Sequence, residues 1–415
     1  MAAGPAAFAA LVASSSALAA PYRTVTVEGA EFVSEDSMLQ ACAIRAGVDY
    51  SPAQLAEAEA CLMSSDRFTS ARVTPRGDEL VVQVRELDNR PGTLRFGLGY
   101  DSEDGAFASV LMERYNLFAG TFGGFEARVS RDVKSVDTYL YAPGVFGEWG
   151  VGFDGGLRHV DDRDVGYTHE RLFFEPYLAR QLTSDLRTEI GLGYRFDRIS
   201  DIAPGLSALA GDVPRKEDAP YLRLSLDYDR KAEGGMPDMM GRLDLRLLDA
   251  ASSDRTTELT GTAEARFALG QDWGLRLGVN GGLVTTSGDR RIRPTDLFHV
   301  GGSDFRGFAS RGVGPSKDGW FMGATRYAIG TVEVERSVGE VLGRGAKVAV
   351  FTDFGSAWGS QYPQVDGKRE MRRTVGMSMT FDVGGVPVSA YVAKAAEKEA
   401  TDKRQTFGLS ISHRF

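Results

Sequence analysis

The sequence predicts a transmembrane β-barrel of about sixteen antiparallel strands, preceded by one small α/β domain of order β-α-α-β-β. Three observations point there. From Leu94 to Phe415, segment after segment alternates polar and apolar residues at period two, each long enough to cross a bilayer as a tilted strand of ~9–11 residues. In the second half of that stretch, short connections alternate with long ones. Beyond residue 20, no window approaches the ~18 uncharged apolar residues of a spanning helix, while Gly supplies 50 of 415 residues and Phe, Tyr and Trp supply 23, 14 and 4.

Charge narrows the function classes. Lys+Arg 48 against Asp+Glu 57 gives a net charge of -9 with no basic stretch, which argues against nucleic acid as a partner. The 2 Cys and 4 His leave little material for a zinc site, so neither metal nor other cofactor is expected.

Residues 1–20 form a small-residue apolar stretch ending Ala17-Leu18-Ala19-Ala20, which reads as a signal peptide and implies export. Residues 22–88 make the small domain. Tyr22–Glu28 alternates as a strand up to Gly29, and Ser34-Glu35-Asp36-Ser37 opens a short helix carrying Met38, Leu39 and Cys42. Ser51-Pro52-Ala53-Gln54 places a cap residue, a first-turn proline and a reach-back glutamine at helix-start spacing. That helix turns Leu55, Ala58, Cys61 and Leu62 to one face. Phe68–Pro75 and Leu80–Arg85 follow as two strands. Cys42 and Cys61 are expected to pair as a disulfide in an exported chain, the alternative being two buried free thiols.

Residues 93–415 make the barrel. Tyr221–Asp229 sets Leu222, Leu224, Leu226 and Tyr228 against Arg223, Ser225 and Asp227; Gly241–Leu247 and Trp273–Val279 repeat the pattern. Phe407, Leu409, Ile411, His413 and Phe415 end the chain in the same way. A soluble sandwich would hide the apolar face, whereas a membrane barrel turns it to lipid and keeps a polar lumen. The connections choose the barrel: Gly270–Asp272, 337–344 and Val383–Gly385 are short, whereas 288–320, 355–370 and 395–404 are long. Arg187, Glu189, Glu264, Arg266, Glu333 and Glu335 on the polar faces would also be costly in a dry core.

The loop at 295–315 breaks the pattern of a solvated connection, because Phe298, Val300, Phe305 and Phe308 need shelter. Folding into the lumen provides it. Arg306 then needs carboxylates. With Val332 and Val334 facing lipid, Thr331, Glu333 and Glu335 face inward; with Val348 and Val350 facing lipid, Phe351 and Asp353 face inward. Arg306 is therefore expected to bond Asp353, Glu333 or both; otherwise all three are simply lumenal residues facing water.

These residues also resemble a known family. Phe305-Arg306-Gly307-Phe308, preceded by Gly301-Gly302, resembles the (V/I/F)-R-G-(F/Y) loop motif of the BamA/TamA outer-membrane assembly superfamily, which includes the two-partner secretion transporters. Phe351 to Trp358 (FTDFGSAW) is similar to its F-x-D-x-G-x-x-W strand motif, and Thr331–Val334 to the strand before it. Tyr228 to Pro237 resembles a periplasmic turn of TamA-like members, and residues 22–86 resemble one POTRA domain, fewer than typical members carry.

The resemblance implies a sixteen-stranded barrel with Arg306 contacting Glu333 and Asp353 in the lumen. It also implies a weak lateral seam between Leu94–Tyr100 and Thr406–Phe415, where Gly97, Gly99 and Gly408 loosen the strands and Phe415 ends the last one. The implied setting is the bacterial outer membrane with the POTRA domain in the periplasm. The implied partners are unfolded outer-membrane or secreted β-protein clients, outer-membrane lipid, and periplasmic chaperones or accessory proteins. Expected function is insertion or export through that seam, with a dedicated secretion transporter and a passive porin as alternatives. Enzyme activity is not expected, since His159, His169, His299 and His413 lack nucleophile context.

Overall fold

The computed structural model describes residues 22–411, apart from 31–32, 66, 87–91, 104, 116, 118–120, 163–164, 212–213, 233–235, 289, 342–343 and 384–385. The expected signal peptide, Phe415 and the Gly234-Gly235 part of the turn lie outside the described residues. The chain divides into two compact units, residues 1–89 and 90–415.

In the first unit, β1 (Thr24–Glu28), α1 (Glu35–Ala41), α2 (Pro52–Ser64), β2 (Phe68–Arg76) and β3 (Glu79–Glu86) follow in order. The sheet runs β1-β3-β2, with β1 parallel and β2 antiparallel to the central strand. Central β3 buries Leu80 and Val82 against Leu62, Met38 and Phe68. Ser51 and Gln54 close a reciprocal capping box at the start of α2. Cys42, at the C-terminal end of α1, is bonded to Cys61 of α2 across 19 residues. Closing such a loop contributes about 3 kcal/mol by limiting the unfolded chain.

The second unit is a closed antiparallel barrel of sixteen strands. Its first eight are β4 (Thr93–Asp101), β5 (Gly105–Tyr115), β6 (Phe122–Ser130), β7 (Val133–Phe146), β8 (Trp149–Asp162), β9 (Tyr167–Gln181), β10 (Leu186–Ser200) and β11 (Lys216–Arg230). A short helix, α3 (Pro204–Ala210), sits between β10 and β11; the sequence pattern assigned nothing there. β12 (Asp238–Leu248), β13 (Thr256–Ala268) and β14 (Trp273–Thr286) follow. The loop after them carries a two-stranded ribbon, β15 (Ser316–Lys317) and β16 (Trp320–Phe321). β17 (Arg326–Val341), β18 (Arg344–Trp358), β19 (Arg372–Val383), β20 (Val386–Glu397) and β21 (Phe407–Ile411) complete the wall.

Strand parity sets the two faces. Leu98 is 81 % exposed on the outer side of β4, and Leu192, Val350 and Met377 are also exposed. Glu175, Arg195, Arg223, Glu333 and Asp353 are buried on the inner side. Such an apolar exterior over a charged, internally paired lumen is the inverse of a soluble core, and it suits lipid outside. β17 reaches Val341 and β18 begins at Arg344, so that connection is shorter than the sequence suggested, with an irregularity between Ser337 and Glu340.

Among the described residues, strand pairing is uneven around the ring. β10 and β11 pair from Leu186↔Tyr228 to Arg198↔Lys216. β21 and β4 pair, among the described residues, only at Ser410↔Asp101 and Ile411↔Tyr100.

Candidate functional site

The long loop between β14 and β17 folds back on itself before it reaches the wall. Phe298 bridges Ala324 and Val300 bridges Val313, giving a two-legged ribbon. Gly301 turns the ribbon at φ 142°, and a Cβ there would meet the Ala309 carbonyl oxygen at 1.9 Å. Beyond the turn, Phe305 and Phe308 stack edge to face at 4.8 Å. Both are fully buried, packed with Val300, Val313, Ala324, Ile329 and Ala357. Gly307 lies against Thr374 and Ala393 on the wall. Anchoring two aromatic rings leaves Arg306, between them, aimed at the inner faces of β17 and β18.

Arg306 is held from four directions. Its Nε donates to Asp353 Oδ2 at 2.9 Å and its Nη2 to Asp353 Oδ1 at 2.8 Å, a bidentate fork. Nη1 donates to Glu333 Oε2 at 2.6 Å, and the backbone N–H of Arg306 also donates to Asp353 at 3.2 Å. The guanidinium lies 3.4 Å over the Phe351 ring. Thr331 Oγ1 donates to Asp353 at 2.9 Å, and Arg276 donates to Glu333 at 2.8 Å. With Asp353 only 1 % exposed, loss of the arginine would orphan a buried charge, typically at about 3–5 kcal/mol. Beneath the loop tip, a cavity of about 870 Å³ is lined by Asp227, Arg242, Glu264, Arg276, Asp304 and Arg306.

A second pin of opposite polarity holds the loop's stem, and the sequence reading missed it. Asp296 receives Arg195 Nη2 on both oxygens, at 2.5 and 2.6 Å. Arg195 and Arg171 also contact Asp197, which His169 reaches at 2.8 Å. On the other flank, Arg290 and Arg293 bond Asp249 at 3.0 and 2.8 Å. The cluster of Arg290, Arg293 and Asp296 was the available signal, but the loop has no periodicity to say which strands it meets.

The outer mouth is capped by apolar residues from several loops, including Val165, Leu206, Ile292, Leu297, Met322 and Tyr362. His299 lies in this cap, with neither ring nitrogen hydrogen-bonded among the described residues. Burial pulls its imidazole down to about 4. Of the seam residues named from sequence, Gly97 and Gly99 sit in β4 and Gly408 in β21, apart from the Arg306 cluster.

A closed sixteen-strand barrel with a buried arginine loop inside it defines an outer-membrane barrel class whose lumen is stoppered by its own chain. Residues 118–415 match the family model described as the Omp85 superfamily domain. The chain belongs to the Omp85 superfamily. It is similar in fold to BamA from Haemophilus ducreyi lacking POTRA domains 1-3, at TM-score 0.76 and 15 % identity, covering 94 % of this chain and 83 % of that one. It is also similar to CdiB from Acinetobacter baumannii, at TM-score 0.62 and 12 % identity over 94 % and 73 % of the two chains. CdiB from Escherichia coli gives TM-score 0.57 at 10 % identity, over 97 % and 92 %.

Proposed function

We propose that this protein inserts or translocates β-rich client proteins at the outer membrane, using the seam between β4 and β21 as its working element. The carrying observation is that, among the described residues, β21 and β4 pair only at Ser410↔Asp101 and Ile411↔Tyr100, whereas junctions such as β10–β11 and β17–β18 are paired along most of their strands. Unpaired backbone N–H and C=O groups cost several kcal/mol each in hydrocarbon, so a marginal seam invites an incoming strand to complete it. β-Augmentation then needs no nucleotide, metal or covalent intermediate, because burial of the client drives the step. The first unit, with β2 at one edge of its sheet, is read as a periplasmic POTRA-type module that receives the unfolded client by the same kind of strand addition.

Dedicated secretion through the lumen is the second reading, and the 870 Å³ cavity below the loop tip is the observation in its favour. It requires the Arg306 and Asp296 pins to release. Insertion through the seam does not.

The test is a cell-based seam lock. Asp101→Cys with Ser410→Cys places a disulfide across the seam, and outer-membrane protein levels are profiled as in a depletion strain. The expected result is loss of the same set of proteins that disappears on depletion. Normal levels of that set with the seam quantitatively locked overturn the seam mechanism.

A further inference from the structure

We infer that the tip of the in-folded loop is a latch that holds the outer ends of both seam strands together, with Glu103 as the positioning residue on the first-strand side. The loop tip touches more than the β17–β18 wall. On the last-strand side it pairs through its backbone with residues 403–405, which lead directly into β21. Ala309 N–H donates to the Lys403 carbonyl at 3.0 Å, Lys403 N–H to Gly312 at 3.0 Å, and Gln405 N–H to Gly307 at 3.1 Å. Phe308 and Arg404 form a β-bridge at the centre of this ribbon. The ribbon is itself moored to the wall, since Arg372 grips Asp402 through two hydrogen bonds of 3.1 Å.

On the first-strand side, the turn after β4 reaches the same loop. The Glu103 carboxylate accepts the Ser303 backbone N–H. Gly302, facing the Glu103 carboxylate, takes a left-handed φ of 65° that favours glycine. Next to it, Gln405 Nε2 donates to Ser102 Oγ at 2.7 Å, and Ser102 N–H donates to the Leu409 carbonyl at 3.0 Å.

Consequently one loop contacts both the turn after β4 and the segment leading into β21, beside the described pairs Ser410↔Asp101 and Ile411↔Tyr100. Arg306 fixes that loop to β17 and β18, with β19 and β20 between them and β21, so this end of the seam is braced against a neighbouring part of the wall. Separating β21 from β4 at this end must break either the Glu103 contact or the 403–405 ribbon. The latch's purpose rests on the seam reading; its existence rests on these hydrogen bonds. Backbone bonds suit such a part, because a client strand arriving at β21 can compete for the same groups.

The experiment measures seam width directly. Spin labels at Ala108→Cys and Val392→Cys flank the two seam strands, on β5 and β20, at positions exposed on the outside of the barrel. Distances are read by pulsed electron resonance on the full chain in lipid nanodiscs. The unaltered latch should give one narrow distribution. Glu103→Gln combined with Gln405→Pro, which removes one latch acceptor charge and one latch N–H, should add a population longer by about 5 Å or more, roughly one strand spacing. Glu103→Cys with Ser303→Cys, with the 403–405 ribbon left intact, should give the single narrow distribution when oxidised and add the longer population when reduced. A distribution unchanged in the first variant overturns the latch. If that variant fails to fold, the Glu103→Cys, Ser303→Cys protein decides: a distribution that is the same oxidised and reduced also overturns the latch. Failure of the seam reading looks different. There the distance shifts as expected while client levels respond neither to the latch variants nor to the Asp101–Ser410 lock.

Discussion

The β17–β18 wall and the β21–β4 seam lie in one ring yet are built by opposite rules. β17 and β18 pair from Arg326↔Trp358 to Val341↔Arg344 and carry Glu333 and Asp353, which clamp Arg306. Among the described residues β21 and β4 pair at two positions, and the loop tip adds bonds to the turn after β4 and to residues 403–405 before β21. One region is stabilised by its own ladder and a buried ion pair. The other borrows its closure from contacts that can be exchanged for a client's. A barrel that must stay folded while one junction opens needs this asymmetry, since uniform weakness would unravel the ring and uniform strength would seal it.

The largest expected effect comes from breaking the strong side. Arg306→Asp leaves three carboxylates together, and the loop should lose its hold at a cost of about 3–5 kcal/mol. Protease cleavage within 301–313 should become rapid, and Asp353→Arg on top of it should restore part of the protection. Protection equal to the parent in Arg306→Asp would remove the pin from the account. Arg195→Ala should come next, because it removes both short hydrogen bonds to buried Asp296 and leaves it only the longer Arg171 and Arg293 contacts. Its thermal transition should fall while the spin-label distance across the seam stays put; a seam that widens as well would show the two pins act as one unit.

Outside the barrel, Cys42→Ser with Cys61→Ser tests whether the small unit's stability is separate. The change should lower the transition of that unit by about 3 kcal/mol, leaving heat-modifiable gel mobility of the barrel intact. Loss of that mobility would tie barrel integrity to the small unit.

How much of this was legible depended on periodicity. Val332, Val334 and Val350 fix the outward faces of β17 and β18, so Glu333 and Asp353 had to point inward toward a nearby arginine loop. The strand number and the capping box at Ser51 followed from local spacing in the same way, and the Cys42–Cys61 pair from an even cysteine count in a chain expected to be exported. Asp296 did not, because its partner Arg195 is 101 residues away and an irregular loop has no parity to aim it. The latch was hidden for a different reason. Backbone bonds at 403–405 leave no side-chain signature, and Glu103 reads as an ordinary turn residue. Helix α3 stands on a Pro204 start in a loop rich in small residues, with no repeating apolar face to announce it.

A smaller effect is expected from pH. His299 in the outer cap has an imidazole lowered to about 4, below its ordinary value near 6.5, so the unfolded chain binds its proton first. Stability from this residue is present above about pH 6.5 and declines as pH falls toward 4. His299→Leu should flatten that part of the profile of thermal transition against pH, leaving the seam distance unchanged. An identical profile in the variant would mean that His299 is not protonated on unfolding of the cap.

The contrast between wall and seam is tested most directly by amide hydrogen exchange on the full chain in lipid nanodiscs. Backbone amides of β17 and β18 should stay protected long after those of β4 and β21 have exchanged, with the difference largest near Ser410 and Asp101. Equal protection of the two junctions would contradict the account.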